Sequence, residues 1–250
     1  MLRAGALEFL ACWAGREHES VVRCVPAAAH VYQALGLIGL TPGHPPRWDE
    51  DVQSYSRPAG DLVDITFEWS AEGQPRAAGA FEWLREAEYG RRSLTRPWVF
   101  AGSIRLADGS LAADASGAGV ALVDFPDSLL CLSRGRSNAD AELWVGADPA
   151  AIPPVGTPVR MVLRPAVVQR YDVTLDYLGT LRLAGCYCPV DELADLLRLN
   201  RQLDGAYVQE IATQRALRSD VRRVEDGLRR AGQPADAVRF TPAPARPRGD

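Results

Sequence analysis

The chain has 250 residues, 47% hydrophobic and 24% charged, with a net charge of −4 and five cysteines. At about 150 residues per domain this length suits one or two globular domains with a core large enough to need no staples. The acidic balance excludes a chain-wide basic surface for DNA or RNA, and five cysteines are too few and too odd in number for a disulfide scaffold. The charge is uneven: from Ala206 onward nine arginines face six acids, so the first 205 residues carry −7. All the basic residues are arginine, and no run of about 18 apolar residues is present to span a membrane.

The start, MLRAGALEFLACWAG, is shaped like a short signal peptide. Glu8 interrupts its apolar run and Trp13 stands where a small-residue cleavage site belongs, so as written it reads as a strand over Leu7 to Cys12 without an export signal, which taken alone implies the cytoplasm. LEFLAC and SVVRC flank the polar loop WAGREHE and suggest a hairpin. Pro26 then opens AAAHVYQALGLIGL, a buried helix ending near Gly39 or Gly43. TPGHPPRWDED and SYSRPAG read as proline-rich loops. DLVDITFEW alternates, with Val63, Ile65, Phe67 and Trp69 on one face and Asp64, Thr66 and Glu68 on the other. WVFAGSIRLADG, GVALVDFP, LLCLS, AELWVGAD and TPVRMVLRP follow as short strands between Gly, Asp and Pro turns.

After Pro165 the pattern changes to YDVTLDYLGTLRLAG as a hairpin, then helix, strand, helix and strand. Leu217, Val221, Val224, Leu228 and Ala231 recur at steps of four and three and make one stripe on the second helix, with Gly232 as its stop. The expectation is an α+β fold: a mainly-β N-terminal domain with one or two helices over 1–166, a ββαβαβ two-layer domain over 167–241, and a disordered tail over 242–250.

Cys12, His18, Glu19, Ser20 and His30 include a nucleophile, bases and an orienting acid. A hairpin closing at Ala14 to Glu17 would set His18 beside Cys12, where an imidazole lowers a thiol pKa and makes a Cys/His-dependent hydrolase conceivable. The competing reading is packing for Cys12 and a solvated turn or local hydrogen-bond network for His18 and Glu19, which favours a structural or ligand-binding role over catalysis. No zinc or iron–sulfur spacing is formed by Cys12, Cys24, Cys131, Cys186 and Cys188, so free thiols are expected, with no metal and no cofactor. Gly102-Ser103 and the glycines at 117 and 119 read as turns, since neither opens a helix as a phosphate loop does. The arginines of the last helix are expected to be paired at four-residue spacing, Glu225 with Arg229 and Asp226 with Arg230.

LEFLACWAGREHESVVRC, AHVYQALGLIGLTPGHP, RPWVFAGS and AAIPPVGTPVRMVLRP, in that order, resemble the bacterial YdjY-domain family over about residues 5–165. Cys12, the His18-Glu19-Ser20 run, His30 and the Trp98 to Ser103 segment carry the resemblance. Its members commonly look exported, which implies the cell envelope when a leader precedes the chain, and the resemblance implies a domain rather than an activity. It points to Cys12, His18, Glu19, His30 and Ser103 as a binding surface, expected to converge in one concave region. DVTLDYLGTLRLAG, VDELADLLR and VRRVEDGLRRAG resemble the periplasmic domain of the ExbD/TolR biopolymer-transport family, which implies a module for homodimerisation or contact with an envelope protein. The family's transmembrane helix has no counterpart in this sequence, so energised transport is not implied.

Overall fold

A computed structural model describes residues 2, 4–49, 51, 53–86, 96–134 and 143–242. The chain divides into two compact units, Met1–Ala166 and Val167–Asp250. Together they form a mixed α+β protein, mostly strands, with four α-helices among the described residues.

The first unit runs β1 (Phe9–Cys12), β2 (Ser20–Arg23), α1 (Ala28–Leu37), β3 (Pro42–His44), β4 (Arg47–Asp49), β5 (Ser54–Ser56), β6 (Ala59–Gly60), β7 (Leu62–Ala71) and β8 (Gln74–Gly79). A 3-10 turn (Ala80–Trp83) leads to β9 (Leu84–Glu86), then β10 (Trp98–Phe100), α2 (Ala112–Ser116), β11 (Val120–Ala121), β12 (Leu130–Cys131), β13 (Val145–Ala147) and β14 (Val159–Pro165). The main sheet has the order β14-β7-β10-β12-β11-β1-β2, with β8 also on β7. It curls into a half-barrel whose end strands, β14 and β2, line the same cavities.

Alternation fixes the inner face. Val63, Ile65 and Phe67 of β7 are buried, and β14 continues their rows by pairing Val159 with Trp69, Met161 with Phe67 and Leu163 with Ile65. Phe67 stacks on Trp83 at 4.2 Å between ring centroids, Trp69 meets Trp83 edge-on at 5.6 Å, and Phe81 stacks on Trp98 at 5.2 Å. Each such pair contributes about 1 kcal/mol beyond the area it buries.

Four local expectations are corrected. First, β1 and β2 are parallel rather than a hairpin, pairing Phe9 with Ser20, Ala11 with Val22 and Cys12 with Arg23. A parallel link ordinarily takes a dozen or more residues. Here residues 13–19 suffice, because Trp13 donates to Gly117 O at 3.0 Å, Gly15 takes φ +100° and the 3-10 turn Glu17–Glu19 leads back to the start of β2.

Second, α1 is not a buried helix. Of its residues only Ala28 and Leu35 are buried, while Leu37 is 87% exposed. Its N-cap residue, Ala27, supplies no side-chain cap; the Asp114 carboxylate of α2 accepts from Ala28 N at 2.5 Å and Ala29 N at 3.2 Å instead. Third, the proline-rich segments contain the ladders β3/β6 and β4/β5. A side chain at Gly60, where φ is +140°, would collide with the Phe100 carbonyl oxygen, so glycine lets β6 lie against β10. Fourth, the expected strand in AELWVGAD is confined to β13; Ala141 and Glu142 lie outside the described residues.

The second unit comprises β15 (Val173–Leu175), β16 (Leu181–Leu183), β17 (Cys186–Tyr187), α3 (Val190–Leu203), β18 (Gln209–Thr213), α4 (Arg218–Arg230) and β19 (Val238–Pro242), in the sheet order β17-β16-β15-β18-β19. Strand β17 is additional to the expected order. Strands β15 and β16 are antiparallel, whereas β15/β18 and β18/β19 are parallel. The Asp176 carboxylate shapes the β15–β16 turn by accepting from Leu178 N, Thr180 N and Arg182 Nε, each at 2.9 Å.

Of the α4 stripe, Val224 and Leu228 are buried, while Leu217 at the N-cap and Ala231 beyond the last turn are exposed. Asp226 pairs with Arg229 at 3.0 Å, at three-residue rather than the expected four-residue spacing. Pro242 pairs with Thr213 in β19 and so belongs to the fold; the remainder of the expected tail, 243–250, lies outside the described residues.

Candidate functional site

The sequence-selected residues fall in several environments. Cys12 ends β1 fully buried, with the Ser20 hydroxyl beside it; burial pushes the thiol pKa up, against the lowering effect of Ser20. Ser20 itself donates to Val22 O at 3.0 Å. His18 is exposed, with Nε2 2.9 Å from Glu19 Oε1.

Glu19 also pairs with Arg16 at 3.1 Å, and the Arg16 guanidinium lies 5.8 and 5.4 Å from the Phe9 and Phe125 ring centroids. Partial burial opposes the charge of Glu19, but hydrogen bonds from Glu8 and Arg16 and the charge of His18 outweigh it and hold the carboxyl below its usual range. This is an ion-pair network around a turn. Ser103, at φ +62°, donates its hydroxyl to Asp127 O at 2.6 Å and accepts from Ala113 N at 3.0 Å, stapling a loop to the start of α2. His30 is on the exposed face of α1. The contacts therefore join Cys12 to Ser20 and His18 to Glu19, while His30 and Ser103 stand on elements of their own.

All five cysteines are free thiols. Burial also pushes Cys24 and Cys131 up to about 12. Among the described residues, no group of three His, Cys, Asp or Glu side chains is placed to hold a metal ion, and no helix is long and apolar enough to cross a membrane.

A concave site lies along the gap between β2 and β14. One lobe, about 580 Å³, has α1 as a wall and includes Cys24, His30, Leu35, Met161 and Leu163. The other, about 330 Å³, is bounded by the 152–158 loop and Trp83. Val22, Arg23, Val25 and Val159 belong to both lobes. Each volume falls in the range of small-molecule sites, and the lining is mainly apolar, as binding clefts are.

Large apolar side chains are left open at its rim: Val25 is 96% exposed, Val155 64% and Ile38 50%. Such clustering marks interaction surfaces. Of Cys12, His18, Glu19, His30 and Ser103, the residues expected to form a binding surface, only His30 lines this groove. Sequence offered one clue to the rest, the apolar Val159, Met161 and Leu163 alternating with Arg160 and Arg164.

The larger unit is thus a half-barrel with an open apolar groove, built by a mixed α+β chain. It belongs to the YdjY domain family, whose model matches residues 8–164. No curated protein and no solved structure matches the chain.

Proposed function

We propose that this chain is a non-catalytic binding protein of the bacterial envelope, with the β2–β14 groove of its YdjY domain as the ligand site. The observation carrying this reading is the groove itself: an accessible concavity with apolar walls and a rim of exposed Val25, Ile38 and Val155. The envelope assignment rests on the family resemblance. The alternative, a Cys/His-dependent hydrolase, needs an accessible thiolate beside an imidazole. Cys12 is instead buried, its thiol pKa is raised, and His18 is engaged by Glu19.

For the second unit we propose self-association or contact with an envelope protein, in line with its ExbD/TolR resemblance. Exposed Tyr177, Leu178 and Leu217 give it apolar surface for such contact.

Titration of the full chain with 1-anilinonaphthalene-8-sulfonate tests the groove. Saturable binding that is lost in Val25→Glu supports it, because Val25 is exposed and a charge there changes the groove without burying anything. Equal binding by both proteins contradicts it.

A further inference from the structure

We propose that the occupant of the β2–β14 groove is an extended polypeptide segment carrying a carboxylate, laid between the two end strands; this rests on the groove being the ligand site. Three observations point to that chemistry. The first is the walls. Strands β2 and β14 terminate the sheet path, each hydrogen-bonded to one neighbouring strand among the described residues, β1 for the former and β7 for the latter. An end strand offers a row of backbone donors and acceptors that an added strand can meet. The seven residues of β14 extend about 23 Å at roughly 3.3 Å per residue, a length suited to a peptide.

The second is Trp83. It lines the groove, is 1% exposed, and its indole N–H is buried without a hydrogen-bond acceptor. A buried indole N–H ordinarily has a partner, and this one is unpaired on a residue of the groove wall; on the proposal, peptide binding brings it an acceptor. A peptide supplies carbonyl oxygens at every residue, together with apolar side chains for the Val22, Val159 and Met161 surface.

The third is charge. The groove is lined by Arg23 and His30 and by no aspartate or glutamate, although the first 205 residues are net acidic. Arg23 faces Glu17 at 3.4 Å with more than half its side chain exposed, an arrangement weak enough for an incoming carboxylate to compete.

The test selects displayed random 12-residue peptides on the full chain and measures the enriched peptides as synthetic ligands, with dodecanoate as a separate arm. The readout is the ¹⁵N–¹H resonance of the Trp83 indole, assigned by its loss in Trp83→Phe. The proposal expects enriched peptides rich in apolar residues with at least one acid, a downfield shift of the Trp83 resonance on binding, and affinity at least tenfold weaker for Val25→Glu.

Failure to enrich peptides that discriminate the wild type from Val25→Glu overturns it. So does a Trp83 resonance moved by dodecanoate and untouched by the peptides, which would leave the groove as a lipid site and the binding reading intact. Concentration-dependent dimerisation abolished by Val25→Glu would seat a second copy in the groove and also overturn it.

Discussion

Replacing Asp114 with Ala tests how the groove wall is held. Helix α1 begins after Ala27, which provides no side-chain cap, and its first two amides are received by the carboxylate of a residue 86 positions away. Losing a side-chain N-cap costs about 0.5–2 kcal/mol. Two charge-assisted bonds favour the upper part of that range and the exposure of Asp114 the lower, so about 1 kcal/mol is expected. At this size that lowers Tm by roughly 2–4 °C. Urea unfolding should show the midpoint falling with an unchanged slope, and Asp114→Asn, which retains one acceptor oxygen, should lose less. Groove ligands should also bind the Ala variant more weakly, since His30 and Val31 stand in the first turn and line the groove. A loss below about 0.3 kcal/mol for Asp114→Ala would show that α1 does not depend on this cap.

At pH 8 a thiol reagent should modify partly exposed Cys186 first and leave Cys12, Cys131 and Cys188 protected until urea unfolds the chain; rapid selective labelling of Cys12 would revive the nucleophile reading. Hydrogen bonds from Arg182 and then the Thr180 amide hold the Asp176 carboxyl below its ordinary value. Its stabilisation is therefore present above the unfolded value of about 3.9 and is lost as pH falls through the folded one. Asp176→Asn should accordingly flatten the acid side of the stability profile of the second unit, measured by unfolding between about pH 2 and 5. Limited trypsin digestion should nick first near Arg170, between β14 and β15, and release a resistant fragment containing residues 4–165. Preferential cutting inside β7 or β14 would refute a separable first unit.

What could be read from sequence follows from what periodicity encodes. The period-two alternation of Val63, Ile65 and Phe67 and the helical spacing of Val224 and Leu228 reflect local burial, and both appear in the structure. Strand direction leaves no such trace, so the short polar link after Cys12 looks like a hairpin although it leads to a parallel partner. The exposure of α1 was equally hidden, because an alanine-rich apolar helix reads the same whether covered or bordering a groove. Asp114 as its cap is a tertiary fact without local sequence signature.

The groove assembles Val22, Trp83 and Met161 from distant parts of the chain by closing a curled sheet, a geometry absent from any window of sequence. His30 could be singled out as a polar residue in an apolar run. Ser103 could be noticed, but its role as a loop staple depends on Asp127 and Ala113 being brought to it.

Whether ligand meets the chain between β2 and β14 can be read by methyl resonance mapping of the full chain titrated with 1-anilinonaphthalene-8-sulfonate. Shifts concentrated on Val22, Val25, Ile38, Val159, Met161 and Leu163 are expected. Shifts at residues around the Arg16–Glu19 turn with the groove methyls unmoved would contradict this placement.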